Sequence, residues 1–206
     1  MKFLICFCAF FVAISANASV VEDFDSLALK CAPSVAVDTM KAIVKTESDF
    51  NPLALAVVGE NRVKQPKTLQ EAVLFVSNYV SQKRRFSVGL SQINSSNFQM
   101  LNMTAEELFD PCKNLKAASI ILGKCYKSMK SDDIAKNLAD ALSCYYSGNA
   151  KTGYEHGYVS RVIANADEKV TVPSIKKFLK NDEASINEEA LIHTNSGSQK
   201  QSLLIF

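Results

Sequence analysis

The sequence has almost no surplus of charge and very little histidine. Its 206 residues contain 23 Lys and Arg against 21 Asp and Glu, and loss of a leader carrying Lys2 would lower the basic count to 22. A broad attraction to nucleic acid needs a clear basic surplus, so no nucleic-acid partner is expected. His156 and His193 lie far apart, and no two cysteines of the chain beyond the leader have the short spacing of a zinc site. No metal and no cofactor are predicted.

The apolar run near the N-terminus is too short to span a membrane. FLICFCAFFVAI comprises twelve residues directly after Lys2, whereas a spanning helix needs about 20. The small residues of SANA follow it and resemble a cleavage site. We therefore predict that residues 1–18 are a signal peptide, removed after Ala18, and that the exported protein keeps no stable membrane span. A membrane anchor is the alternative interpretation.

Helical periodicity is abundant, and 48% hydrophobic residues suffice for a core. A small hairpin is predicted within 53–63, and 86–98 is predicted to be a loop leading into a short helix. The fold class is mainly α, with one domain over 19–168 and a flexible, polar tail over 169–206. Helices are predicted over 22–31, from an N-cap at Ser34 to Glu47, from Thr68 to Val80, from Asp110 to Cys125, from Asp132 or Asp133 to Gly148, and from Tyr158 to Ala166.

Four cysteines remain beyond the leader, and an even number in an exported chain predicts two disulfides. Three connectivities are open. If the helices predicted at 115–127 and 133–147 run antiparallel, Cys112 lies at the end nearer Cys144, and Cys125 lies at the opposite end. Cys31 is then free to meet Cys125. We favour Cys31–Cys125 with Cys112–Cys144 on this packing argument.

One glutamate occupies a position where helical spacing calls for an apolar residue. In MKAIVKTESDFNP, Met40, Ile43 and Val44 define an inner helix face, and Glu47 is the next position on it. Burial and the carbonyls of the last helical turn both disfavour the ionised carboxylate, so the pKa of Glu47 is expected to be raised. Such a glutamate can act as a general acid on a glycosidic oxygen. A surface glutamate on a frayed helix end is the alternative.

Five short motifs follow one another along the chain. They are ESDFNP at 47–52, SVGLSQIN at 87–94, DPCKN at 110–114, ALSCYYSGN at 141–149 and YVSRV at 158–162. In this order and spacing they resemble the soluble, lysozyme-like (goose-type) domain of lytic transglycosylases over about residues 25–166. The closest likeness is to the small exported transglycosylase subunit of type IV secretion systems. The resemblance implies a periplasmic enzyme, peptidoglycan glycan strands as substrate and secretion-system components as partners.

Carried over by motif, the resemblance implies that Glu47 is the single catalytic acid and base. Tyr146 and Ser147 replace the asparagine and alanine usual in the family's tyrosine motif, so the detailed contacts of that wall differ, and core packing is the alternative for Tyr146. The residues implied in substrate binding are Ser48, which would support the glutamate, and Ser87, Gln92, Asn94, Tyr145, Tyr146, Asn149 and Tyr158.

The implied reaction cleaves the β-1,4 bond between N-acetylmuramic acid and N-acetylglucosamine and leaves a 1,6-anhydro end. One carboxylate suffices because the sugar supplies its own nucleophile, whereas ordinary glycoside hydrolysis uses two. Asp49 is the nearest other carboxylate, and its spacing from Glu47 indicates a turn or capping residue. The alternatives are a lysozyme-type hydrolase and a noncatalytic wall-binding assembly factor. A cysteine hydrolase would forfeit a disulfide.

Overall fold

The computed structural model describes residues 23–167, so the predicted signal peptide and tail lie outside the described residues. Within this range the chain is mostly helical, with a small antiparallel sheet, in agreement with the predicted fold class. The elements are α1 Phe24–Cys31, α2 Val37–Ser48, β1 Leu55–Val57, α3 Leu69–Ser81, β2 Phe86–Val88, β3 Ile93–Asn94, a 3-10 helix Ser95–Asn97, α4 Phe98–Leu101, a 3-10 helix Glu107–Phe109, α5 Pro111–Ser128, α6 Ile134–Ser147, α7 Thr152–Glu155 and α8 Tyr158–Asp167.

Local capping residues determine where most of the predicted helices begin and end. The side chains of Thr68, Asp110 and Asp133 accept hydrogen bonds from the first backbone N–H groups of α3, α5 and α6. Gly148 ends α6 in the left-handed conformation. These predicted helices are confirmed. The predicted cap at Ser34 is wrong, because α2 begins three residues later, with Ala36 at its N-cap and no side-chain hydrogen bond there.

The strands do not pair as the sequence predicts. β1 pairs antiparallel with β2, with Leu55 opposite Val88, and β2 pairs antiparallel with β3. The predicted hairpin at 53–63 is therefore wrong. Of the loop and short helix predicted over 86–98, the loop part is wrong because it contains β2 and β3, whereas the short helical part is confirmed by the 3-10 helix Ser95–Asn97 and the start of α4. The hairpin lies between β2 and β3, and the partner of β1 arrives only after α3. Residue alternation identifies a strand but contains no information about a partner that follows an intervening helix.

The two predicted disulfides form, but with a different connectivity. The pairs are Cys31–Cys112 and Cys125–Cys144. The prediction assumed that α5 and α6 lie side by side as an antiparallel hairpin. Instead, the Cα atoms of Cys125 and Cys144 are 5.7 Å apart, so the C-terminal parts of the two helices approach each other. Cys112, near the start of α5, meets the last residue of α1, which packs against α5.

The core unites α2 with α8, α1 and the sheet. Met40, Ile43 and Val44 are completely buried along the inner face of α2, which packs mainly against α8. Burial of three such side chains stabilises the fold by roughly 5 kcal/mol or more. This packing fixes the last turn of α2, and therefore Glu47, relative to Tyr158 at the start of α8. Within residues 23–167, no helix is both long enough and apolar enough to cross a membrane.

Candidate active site

A cleft of about 190 Å³ opens between the helices and the small sheet. The end of α2, the sheet with its β2–β3 turn, α5 and the end of α6 all contribute to it. Glu47 is the only carboxylate in this lining, as far as the described residues extend. The lining consists of Glu47, Ala56, Ser87, Gln92, Ile93, Asn94, Asn97, Ile121, Tyr145 and Tyr146.

Glu47 lies at the helical side of the cleft and is partly exposed to it. Its Oε1 accepts a hydrogen bond from the hydroxyl of Tyr158 at 2.7 Å. Burial raises the pKa of Glu47 from 4.5 to about 7, although the Tyr158 hydrogen bond and the positive charge of Arg161 both act to lower it. Burial therefore outweighs both favourable interactions of the carboxylate, and with a pKa of about 7 a large fraction of the acid is protonated near neutral pH.

Two stacked tyrosines form the wall beside Glu47. Tyr158 is 2% exposed, and the ring of Tyr146 covers it with centroids 4.7 Å apart and planes inclined by 18°. Burial and the negative charge of Glu47 raise the pKa of Tyr158 well above its usual value, so its hydroxyl keeps its proton and donates to the carboxyl group. Tyr146 itself lines the cleft.

The opposite wall, the β2–β3 turn, is held by hydrogen bonds from side chains to its backbone. Asn114 on α5 is completely buried; it accepts from the N–H of Ser91 at 2.8 Å and donates to the carbonyls of Val88 and Leu108. Tyr145 donates its hydroxyl to the carbonyl of Ser91 at 2.7 Å. A Cβ at Gly89 would lie 2.1 Å from the amide of Asn114, so the turn requires glycine here.

The polar groups of the turn are only partly available to a ligand. Gln92 donates from Nε2 to the carbonyls of Ala54 and Gly89, both at 3.0 Å. Because both amide hydrogens are used, only the carboxamide oxygen of Gln92 can contact a ligand. Asn94 donates to the hydroxyl of Ser87 at 3.2 Å and accepts from Ser96. The turn therefore offers amides and hydroxyls, beside the apolar surface of Ile93, without any charged side chain.

The structure brings together most of the predicted site residues. Glu47, Ser87, Gln92, Asn94, Tyr145 and Tyr146 line the cleft, and Tyr158 lies beneath Tyr146. Ser48 and Asn149 are not in the lining: Ser48 donates to the carbonyl of Val44, and Asn149 accepts from the N–H groups of Lys151 and Thr152, where α7 begins. Asp49 is the left-handed C-cap of α2 and pairs with Lys45, which confirms its predicted capping role.

Sequence reasoning missed several residues that shape the site. Asn114 lies in DPCKN and Arg161 in YVSRV, but neither motif predicts a role for them, and the sequence suggests His156 only as a possible metal ligand. Helical spacing could have identified Asn114. It lies four residues before Ala118 and is therefore a polar residue on the inner face of α5, just as Glu47 is a polar residue on the inner face of α2. No comparable signal marks Asn97 or Ile121, which reach the cleft only through the tertiary fold.

The chemistry available in this cleft is proton transfer. One protonated carboxylic acid faces a cavity with neutral polar groups, and it can give its proton to a ligand oxygen and take one back. Among residues 23–167, no group of three or more His, Cys, Asp or Glu is placed to hold a metal ion.

The family model described as Transglycosylase SLT domain matches residues 26–167 of this chain. The chain belongs to this family, that of the peptidoglycan lytic transglycosylases.

Curated relatives are similar over most of the chain. The chain is 42% identical over 164 residues to the Type IV secretion system protein virB1 of Brucella abortus, covering 73% of this chain and 68% of that protein. It is 41% identical to the protein of the same name in Brucella suis, with the same coverage. It is 36% identical over 170 residues to the Protein virB1 of Rhizobium radiobacter, covering 81% of this chain and 70% of that protein. No solved structure matches the chain significantly.

Proposed function

We propose that the chain cleaves the β-1,4 bond between N-acetylmuramic acid and N-acetylglucosamine in peptidoglycan and leaves a 1,6-anhydro end. The observation that carries this proposal is Glu47, the one carboxylic acid that residues 23–167 contribute to the cleft lining, whose pKa burial raises to about 7. Membership of the transglycosylase family supports it independently.

Glu47 acts first as a general acid. It transfers its proton to the glycosidic oxygen as the bond between that oxygen and C1 of the muramyl sugar breaks. The resulting carboxylate accepts the hydrogen bond of Tyr158 and faces the charge of Arg161, and both interactions stabilise its negative charge. The carboxylate therefore persists long enough to act as a base.

Glu47 then acts as the general base. It removes the proton from the C6 hydroxyl of the same muramyl sugar, and the C6 oxygen forms a bond to C1. The proton returns to Glu47, no water is consumed, and the enzyme is ready for another turnover. A second carboxylate is unnecessary because the nucleophile belongs to the substrate, in contrast to hydrolysing glycosidases.

The remaining cleft residues bind the glycan. The amides of Asn94 and Asn97 and the carboxamide oxygen of Gln92 suit the hydroxyl and acetamido groups of the sugars. Tyr146 offers an aromatic face, and Ile93 an apolar contact for an acetamido methyl group. Ser48 and Asn149 lie outside the cleft lining, and their side chains bond backbone groups at the end of α2 and before α7.

We place this activity in the periplasm, after removal of the signal peptide, in the assembly of a type IV secretion system. The support comes from the relatives, whose printed names are Type IV secretion system protein virB1 and Protein virB1. Local opening of the peptidoglycan would let a transport apparatus pass through the wall. Components of that apparatus are the expected protein partners.

Mass spectrometry of digested peptidoglycan tests the reaction. The purified mature chain should release fragments with 1,6-anhydro muramyl ends, each lighter by one water than the reducing-end fragment of a hydrolase. Glu47→Gln should keep the fold and reduce release by at least about a thousandfold, because the amide cannot donate an acidic proton. Asp49→Asn, which neutralises an exposed carboxylate two residues away, is the matched control and should retain activity.

Two results would contradict the proposal. Reducing ends instead of anhydro ends would identify a lysozyme-type hydrolase. Undiminished cleavage by the Glu47→Gln variant would remove the glutamate from the mechanism.

A further inference from the structure

A series of contacts leads from the carboxyl group of Glu47 to an exposed histidine. Tyr158 donates its hydroxyl to Glu47, and the ring of Tyr146 stacks on the ring of Tyr158. The hydroxyl of Tyr146 lies 3.2 Å from Nδ1 of His156, within hydrogen-bond distance. The two rings also meet edge to face, with centroids 5.9 Å apart and planes at 80°. Tyr146 is thus held from two sides.

The histidine is itself held in place by the helix that carries Tyr158. His156 lies in the turn between α7 and α8, and its carbonyl accepts a hydrogen bond from Nη1 of Arg161 at 3.0 Å. Gly157, with a φ of +67°, allows the chain to enter α8 directly after it. Both rings that contact Tyr146 therefore come from one segment, residues 156–158, whose backbone is fixed.

Tyr146 needs such an anchor because it is near the exposed end of α6. It is 42% exposed, and only Ser147 separates it from Gly148, where the helix ends. An exposed side chain at a helix end can adopt other staggered rotamers at little cost. In another rotamer the ring would leave the cleft wall and uncover the hydrogen bond between Tyr158 and Glu47.

We propose that His156 is a positioning residue, which holds the ring of Tyr146 against Tyr158 so that this ring forms the sugar-binding wall beside Glu47. The identity of the ligand, an N-acetylated glycan, rests on the proposed function. The imidazole can accept from the tyrosine hydroxyl or donate to it, so the anchor does not depend on one tautomer.

Binding of the N-acetylglucosamine trimer to the full mature chain tests the proposal. The Glu47→Gln background excludes turnover, and titration calorimetry gives the Kd. Tyr146→Phe and His156→Ala should each raise the Kd about 3- to 10-fold, the range expected for losing one net hydrogen bond. The double variant should be no weaker than the weaker single variant, because both changes remove the same contact. His156→Gln, which can still bond the hydroxyl, should recover part of the affinity.

In the active background, His156→Ala should raise KM more than it lowers kcat, because it acts on the sugar-binding ring of Tyr146 while Glu47 and Tyr158 remain in place. Tyr154→Phe is the matched control. Tyr154 is 43% exposed and donates its hydroxyl to Asp140 at 2.8 Å, outside the cleft. Loss of the Tyr154 hydroxyl should lower the thermal stability about as much as loss of the Tyr146 hydroxyl does, but it should leave the Kd for the trimer unchanged.

Several results would overturn this role of His156. Unchanged Kd values, together with a Tm decrease equal to that of Tyr154→Phe, would make the contact structural only. If the fold-increases in Kd of the two single variants multiply in the double variant, the two residues act separately. If the trimer does not bind at all, the cleft is not a binding site for this sugar. Hydrolysed instead of anhydro products, with the coupling intact, would refute the proposed reaction while the positioning role stands.

Discussion

The two walls of the cleft are built in different ways. In the helical wall, side chains hold other side chains: Tyr158 bonds Glu47 across 111 residues of sequence, and Tyr146 stacks on Tyr158. In the sheet wall, side chains hold backbone: Asn114 and Tyr145 bond the N–H and carbonyl of Ser91. The helical wall contains the ionisable group, and the sheet wall contributes neutral polar atoms.

Because of this difference, the helical wall determines the protonation of Glu47, whereas the sheet wall determines the shape of the cleft. In the helical wall, a change at Tyr158, which bonds Glu47 directly, alters the electrostatic surroundings of the carboxyl group and should therefore alter pH dependence. A change in the sheet wall leaves buried backbone groups without partners and should therefore alter stability and ligand fit. The predictions below use that contrast, because a variant of one wall should not produce the signature of the other.

The largest effect is expected from Asn114→Ala in the sheet wall. The change removes three buried hydrogen bonds, taking the acceptor from the N–H of Ser91 and a donor from the carbonyls of Val88 and Leu108. Each unpaired buried group costs about 1–3 kcal/mol, so the free energy of unfolding should fall by about 3–5 kcal/mol in urea titrations. The pH profile of the remaining activity should keep its midpoint, since Glu47 is untouched.

Asn137→Ala is the matched control for that experiment. Asn137 also bonds backbone on both sides of its amide, but at the partly buried Ser131, where water can replace it. It should cost about 1 kcal/mol. A loss at position 114 no greater than this would mean that the β2–β3 turn is held by other contacts.

The next effect concerns Glu47 and the pH dependence of stability. Its pKa is about 7 in the folded protein against 4.5 as the usual value. The folded state therefore binds the proton more tightly, and this stabilisation is fully present below about pH 4.5 and lost as pH rises through 7. Glu47→Gln has no such loss, so it should become more stable than wild type by up to about 3 kcal/mol between pH 5 and 8.

Unfolding titrations across this pH range measure the difference between the two proteins. Asp49→Asn should follow the wild-type curve, because its carboxylate is exposed. Parallel curves for wild type and Glu47→Gln would show that the carboxyl group is not shifted, and the general-acid argument would lose its basis.

Much of the fold could be predicted because it depends on local features. Helical spacing and the caps at Thr68, Asp110 and Asp133 concern residues within a few positions of each other, and these helices form as predicted. Strand pairing and disulfide connectivity depend on how distant elements meet. Leu55 pairs with Val88 across α3, and Cys31 with Cys112 across 81 positions, and neither follows from a local pattern.

The candidate site divides in the same way. Glu47 could be found from helical spacing alone, and Asn114 could have been found by the same argument. Tyr158 contacts Glu47, and His156 contacts Tyr146, only because of how α8 and the end of α6 pack. The spacing of residues within one helix cannot predict such contacts. The motifs supplied Tyr158 through resemblance, whereas His156 became apparent only in three dimensions.

The smallest effect compares the hydroxyls of two tyrosines, one for each wall. Tyr158→Phe removes the hydrogen bond that lowers the pKa of Glu47, so that pKa should rise further and the high-pH limb of kcat/KM should move to higher pH. kcat/KM at its optimum should fall about tenfold, as expected for losing a hydrogen bond that orients a charged group. Tyr145→Phe instead leaves the carbonyl of Ser91 unpaired, which should cost about 1 kcal/mol of stability and leave the limb unmoved. Profiles of kcat/KM between pH 5 and 9 for both variants measure the difference. If the high-pH limb of kcat/KM shifts equally in both variants, the two walls share one electrostatic environment, and the sheet wall also determines the protonation of Glu47.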